Sequence, residues 1–293
     1  MYKKLLLIII FIEVFLYIFL GPNIKTKLRH VGFNKFNNVN IDKIKLENYV
    51  IGVVAAEMPA TFSFESLKAQ AVVSRTFIYR KITNGNISYD NLNDDKGQAY
   101  ITKKEMKDKW KNNYDEYYLK IKRAVEDTKD EIVVYNNEPI KAYYFSSSNG
   151  MTEDSKAVFG EEEYLISVDT SFDKKSKEYE KEVIFSAKEL LNKLNVNSDV
   201  VNIGNIERSS TNHVISVEIN SIIMSGIEFR KKLGLRSTDF DIFVNSNEVM
   251  VVTRGYGHGV GMSQYGANYL ASNGKDYREI IKYFYHNVNI DKI

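Results

Sequence analysis

The chain has 293 residues, 44% of them hydrophobic and 27% charged, an ordinary globular balance with enough apolar material to bury a core. Its 40 basic and 38 acidic side chains leave a formal net charge of +2, so it lacks the basic field of a nucleic-acid binder. It contains no cysteine, which excludes disulfides, thiolate catalysis, thiolate metal sites and an anchor built on a lipidated cysteine.

Lys3 and Lys4 precede an apolar run from Leu5 to Leu20, broken by Glu13 and closed by Gly21 and Pro22. Charge, apolar stretch and helix breaker in that order mark a secretory signal or an N-terminal anchor. The run is short against the ~20 residues of a typical span, and no small-residue cleavage site follows it. The expected organisation is a cytoplasmic N-terminus at residues 1–4, an uncleaved transmembrane anchor at 5–21, an asparagine-rich linker at 22–43 and an extracytoplasmic domain at 44–293. Such a chain is a single-pass protein of the cell membrane.

From residue 44 onward the elements follow one another without a further linker or an internal repeat. The spacing predicts a helix from Leu46 to Glu57, ended by Pro59 because proline disfavours helical backbone at the residue before it. Ser63 is the expected N-cap of a second helix that runs to about Lys81 and stops at Asn84 and Gly85. Residues 86–100 read as loop and 103–128 as charged helix. Glu131–Tyr135 and Ile140–Phe145 read as a hairpin turning at Asn136-Asn137. Further strands are expected at 183–185, 203–208, 214–219 and 248–254, and helices at 186–194, 226–233 and 276–285. The fold class is α+β: helices frame β-rich middle parts in one mixed domain behind the anchor.

Glu57 is a single carboxylate closing an apolar stretch. Burial and the negative helix end both favour its protonated form, as a general acid requires; by position alone it reads first as a surface glutamate at a fraying helix end. Glu65 lies in a first helical turn, where the charged form is favoured. On the second helix Gln70 and Ser74 share a face with Arg75 beside it, a donor-rich array suited to a polyhydroxylated ligand. The same helix also reads as a packing element through Leu67, Ala71 and Ile78.

Four segments together carry a resemblance. They are Ala56–Pro59, Leu67–Thr76, Ala142–Gly150 with Thr152-Glu153, and Gly257–Ala267. In this order, across roughly residues 44 to 290, the chain resembles the stage II sporulation protein D family of peptidoglycan lytic transglycosylases. The resemblance implies cleavage of glycan strands to 1,6-anhydro-muramic ends, in septal wall degradation and forespore engulfment. It implies an extracytoplasmic catalytic domain with a glycan-binding groove, facing an intermembrane space. It places the catalytic acid at Glu57 and glycan contacts at Ser147, Ser148, Asn149, Ser263, Gln264 and Tyr265; Gln70, Arg75 and His258 complete the candidate substrate-binding set. It also implies partnership with a membrane scaffold and a peptidoglycan amidase-endopeptidase.

Some members of the family carry histidine and cysteine around the serine loop and bind zinc. Phe145 and the serines here offer no such ligands, and His30, His213, His258 and His286 show no ligand-pair spacing. No metal and no other cofactor is expected. The glycine-rich segment from Gly255 to Gly266 lacks the lysine of a phosphate cradle, and Ser263 lacks a nucleophile elbow. The competing reading is a non-catalytic wall-binding module that enhances a partner amidase.

Overall fold

The computed structural model describes residues 42–87, 92, 97–176, 179–246 and 248–293. The expected anchor at 5–21 lies outside the described residues, as does nearly all of the expected linker. Among the described residues no helix is long and apolar enough to cross a membrane.

The first helix, α1 (Lys43–Glu57), begins inside the expected linker, because the Asp42 carboxylate accepts the Ile44 and Lys45 N–H groups and caps it. It is apolar nearly all round and correspondingly central: Leu46, Val50, Val53, Val54 and Ala55 are fully buried. Each buried leucine or valine contributes roughly 1.5–3 kcal/mol relative to exposure. Pro59 ends α1 as expected, leaving Met58 extended at φ −114°, ψ 144°.

Helix α2 (Phe64–Thr83) is the hub, packing against α1, strand β1 (Glu131–Tyr135) and later helices. Ser63 sits at its N-cap position without capping it through its side chain; its hydroxyl pairs with Ser272 instead, at 2.9 Å. The charged helix expected over 103–128 is two pieces, α3 (Lys103–Trp110) and α4 (Tyr114–Asp127). They are divided where Lys111 takes a φ of 49°.

The Asn136-Asn137 turn holds, both residues having positive φ, and joins β1 to β2 (Glu138–Pro139). The second arm is shorter than expected: only Tyr144–Phe145 returns to strand form, as β3, and it pairs parallel with a strand much later in the chain. After a one-turn helix, α5 (Ser155–Val158), the chain enters a second lobe. This holds β4 (Glu180–Ser186), α6 (Ala187–Leu194), β5 (Ile203–Arg208), β6 (Val214–Ile219), β7 (Ile222–Ser225), α7 (Gly226–Leu233), β8 (Asp239–Val244) and β9 (Glu248–Arg254). Its two antiparallel sheets, β4-β9-β8 and β5-β6-β7, enclose a separate core around Phe185, Leu190, Val217, Phe229, Phe240 and Val251.

The chain then returns to the first lobe through β10 (Met262–Ser263), α8 (Gln264–Ser272), α9 (Tyr277–Phe284) and β11 (Asn289–Lys292). There β10 pairs with β3, β11 pairs with β1, and Ile280, Ile281 and Phe284 join the core of α1 and α2. The fold is α+β with several small sheets. Its first lobe is built from both ends of the described chain, with the second lobe inserted between them.

Candidate active site

Glu57 ends α1 with its side chain in a cleft of about 450 Å³. Phe77, Tyr143, Tyr144, Phe145, Ser146, Tyr256, His258 and Gln264 form much of the wall. One oxygen of the carboxylate is anchored. Glu57 Oε1 accepts the Ala99 N–H at 2.7 Å and the Tyr144 phenol at 3.1 Å. Oε2 has no hydrogen-bond partner among the described residues.

The Ala99 donor reaches Glu57 because Gly52 lets another stretch of chain cross α1. A Cβ at Gly52 would lie 2.2 Å from Tyr100 Cε2 and 2.9 Å from the Ile101 carbonyl oxygen, a contact only glycine permits. Ile101 N–H donates to the Gly52 carbonyl at 3.3 Å, and Tyr100 stacks on Tyr49.

Behind Tyr144 runs a chain of polar groups through the core. Gln264 Nε2 donates to Gln70 Oε1 at 3.4 Å, and Gln70 Nε2 donates to Ser74 Oγ at 2.9 Å. The Ser74 hydroxyl stands beside the Tyr144 phenol and partly offsets the effect of burial on it. The Tyr144 hydroxyl lies 3.1 Å from both Glu57 Oε1 and Gln98 Oε1, with a single proton to share between them. Burial, and then the charge of Glu57, raise the phenol well above its ordinary pKa, so Tyr144 stays a donor. Gln70 and Ser74 are fully buried. They meet the acid through Tyr144 and hold it in place from behind.

Of the residues expected to contact substrate, His258 and Gln264 line the cleft with Glu57. His258 Nδ1 accepts the Val260 N–H at 3.1 Å, and its ring lies among Tyr143, Phe145 and Phe159. Burial, with the Arg230 charge second, lowers its pKa to about 4, so the ring is neutral at pH 7. Tyr265 is half-buried with its ring edge-on to Phe62.

The others point elsewhere. Arg75 is fully buried, its guanidinium bonded to both Glu47 oxygens at 2.8 and 2.6 Å and to the carbonyls of Glu131 and Val125. It ties α2 to α1 and α4 and presents nothing to the cleft. Ser148 donates its N–H to Asp173 Oδ2 at 2.7 Å, and Ser263 donates its hydroxyl to the same oxygen at 2.6 Å. Ser263 also caps α8. Ser147 exchanges backbone hydrogen bonds with Tyr256, and its own hydroxyl is buried without a partner among the described residues. Asn149 faces a different cavity.

Three contributors to the site escape a reading of the sequence. Tyr144 lies inside one of the four segments, where nothing in its spacing marks it above Tyr143. Gln98 and Ala99 sit in a stretch that reads as plain loop, and their role comes from the crossing over Gly52.

A profile described as stage II sporulation protein matches residues 35–135. Stage II sporulation protein D of Bacillus subtilis (strain 168) is 44% identical over 263 residues, covering 87% of this chain and 77% of that protein. The chain belongs to the stage II sporulation protein D family. Its counterpart in Bacillus amyloliquefaciens is 40% identical over 279 residues, 92% of this chain and 81% of that protein. A more distant relative, the amidase enhancer of Bacillus subtilis (strain 168), is 29% identical over 291 residues, 80% of this chain and 39% of its own length.

Proposed function

We propose that this sporulation protein is a lytic transglycosylase that cleaves peptidoglycan glycan strands to 1,6-anhydro-muramic ends. The observation that carries the reading is the solitary carboxylate: among the described residues lining the cleft, Glu57 is the one acid. Hydrolysis of a glycoside ordinarily needs two carboxyl groups, one for the leaving oxygen and one for water or covalent attack. A single group suffices when the sugar supplies its own nucleophile. Protonated Glu57 gives its proton to the glycosidic oxygen as the bond to C1 breaks. The muramic 6-hydroxyl closes on C1 and returns its proton to Glu57, so no water is consumed. With Oε1 held by Ala99 and Tyr144, Oε2 is the oxygen free to exchange that proton.

Family membership supports a role in septal wall degradation and forespore engulfment. The apolar run from Leu5 to Leu20 supports a single-pass anchor in the mother-cell membrane, with the enzyme facing the intermembrane space. The partners in this reading are a membrane scaffold and a peptidoglycan amidase-endopeptidase. The distant likeness to a protein named amidase enhancer favours a second reading, in which the domain binds wall and assists an amidase without cutting glycan.

Mass spectrometry of the products from defined glycan strands, in ¹⁸O-labelled water, separates these. Anhydro ends without label support the transglycosylase. Reducing ends carrying ¹⁸O make it a hydrolase, and intact strands leave the enhancer.

A further inference from the structure

A second cleft, of about 470 Å³, opens where the two lobes meet and shares no lining residue with the cleft of Glu57. Its floor is built and rigid. Asn149 Nδ2 donates to Asp239 Oδ2 at 2.8 Å and to the Thr211 carbonyl at 2.7 Å. Arg254 Nη1 donates to Asp239 Oδ1 at 3.2 Å, and Asn212 Nδ2 reaches both Asp239 oxygens at 3.2 Å. Asp239 is 2% exposed, so this array of amides, carboxylate and guanidinium is fixed from beneath.

Two charged groups stand over that floor. The stem of Lys174 lies across Gly150: a Cβ there would fall 2.4 Å from Lys174 Cε and 3.1 Å from its Nζ. The missing side chain at Gly150 therefore seats the ammonium at the cleft. Asp169 lines the same wall, with Oδ2 accepting the Ser171 hydroxyl at 3.1 Å. Neither Lys174 nor Asp169 has an ion-pair partner among the described residues.

The wall carries as many carboxylates, Asp169 and Asp239, as cations, Lys174 and Arg254. It therefore offers a bare anion little net attraction. It suits a ligand whose groups both give and accept hydrogen bonds at many points, which is the chemistry of a polyhydroxylated chain. Segments 146–150 and 254–258 each contribute to both clefts, and between the clefts Ser147 and Tyr256 exchange backbone hydrogen bonds. Four residues of extended backbone span at most ~14 Å, a distance that a short oligosaccharide bridges.

We propose that this junction cleft is a second glycan-binding site, in which Lys174 and Asp169 bond the hydroxyl or acetamido groups of a strand whose other stretch lies at Glu57. The proposal rests on the glycan reading of the Glu57 cleft. It is tested by titrating the full chain carrying Glu57→Gln with wall glycan strands and with short N-acetylglucosamine oligomers, with and without Lys174→Met together with Asp169→Asn. The paired substitution is expected to weaken binding of long strands about tenfold, as the loss of hydrogen bonds to charged groups would. Binding of the short oligomer at Glu57 should persist. In the otherwise unaltered enzyme the same pair should raise KM for long strands and leave kcat unchanged, and added salt should not weaken the wild-type affinity.

Unaltered long-strand affinity in the paired variant overturns the second site and leaves the Glu57 reaction, judged by its products, intact. Affinity that vanishes with salt also overturns it, because the ligand is then an anion. A chain that binds strands through Lys174 and Asp169 but yields no cleavage products retains the second site and loses the transglycosylase reading.

Discussion

The phenol of Tyr144 donates to Glu57 Oε1 across 3.1 Å. Ser74, bonded to Gln70, stands behind the phenol, so the acid is backed through Tyr144 by the core of α2. Glu57 ends a helix that contributes no further turn to brace it, and this outside support fixes which carboxylate oxygen faces the cleft.

Replacing Glu57 by Gln keeps an oxygen for the Ala99 and Tyr144 donors and removes the transferable proton. Cleavage of glycan strands should fall by roughly 10²–10⁴-fold, with the melting curve and strand affinity little changed. A normal turnover rate in this variant would put the acid elsewhere.

Tyr144→Phe removes one of the donors at Oε1 and leaves the ring in place. A hydrogen bond to a charged partner is worth about 1.5–3 kcal/mol, so kcat should drop roughly 10–100-fold while KM moves little. Equal kcat in Tyr144→Phe and wild type, measured by release of anhydro products, would show that the Ala99 N–H alone positions the acid.

Arg75→Met strands the half-buried carboxylate of Glu47 and two carbonyl groups. Breaking a fully buried pair from one side costs about 3–5 kcal/mol; with Glu47 partly solvated the loss should be smaller but still clear in denaturant melting. Glycan affinity of the protein that remains folded should be unchanged, because the guanidinium does not reach the cleft. A variant of wild-type stability with weakened glycan binding would return Arg75 to the substrate site.

Glu153 gives the fold an acid-sensitive tie between the lobes. Burial alone would raise its pKa. Hydrogen bonds from His213, Thr211 and Ser209 outweigh burial and hold it at about 2, against an ordinary 4.5. A carboxyl group depressed on folding stabilises the native state above its unfolded pKa, and that contribution is lost as pH falls from about 4.5 to about 2. The difference corresponds to ~3 kcal/mol. His258 acts in the same direction at higher pH: its folded pKa of about 4 lies below the ordinary 6.5, so protonation favours the unfolded chain as pH falls through that window. Stability measured by denaturant should therefore decline from about pH 6.5 downward. Glu153→Gln should be destabilised at pH 7, and its deficit should shrink towards pH 2. A pH-independent deficit would assign the effect to lost packing.

Local signals carried much of this protein. Pro59 ends α1, Asn136-Asn137 makes the turn, and β5, β6 and α7 form where their patterns place them, because proline geometry, turn residues and apolar periodicity act over a few residues. Four short segments sufficed to identify the family, and the resemblance, not the position of the carboxylate at a helix end, pointed to Glu57. Long-range contact decided the rest. The pairing of β3 with β10 brings Tyr144 and Gln264 to one cleft from either side of the inserted second lobe. The crossing at Gly52 carries Ala99 to the acid. The donors of α2 divide according to what packs on each side, Gln70 and Ser74 towards Tyr144, Arg75 towards Glu47. No spacing rule along a helix can make that division, because it depends on which neighbours fill the space around each side chain.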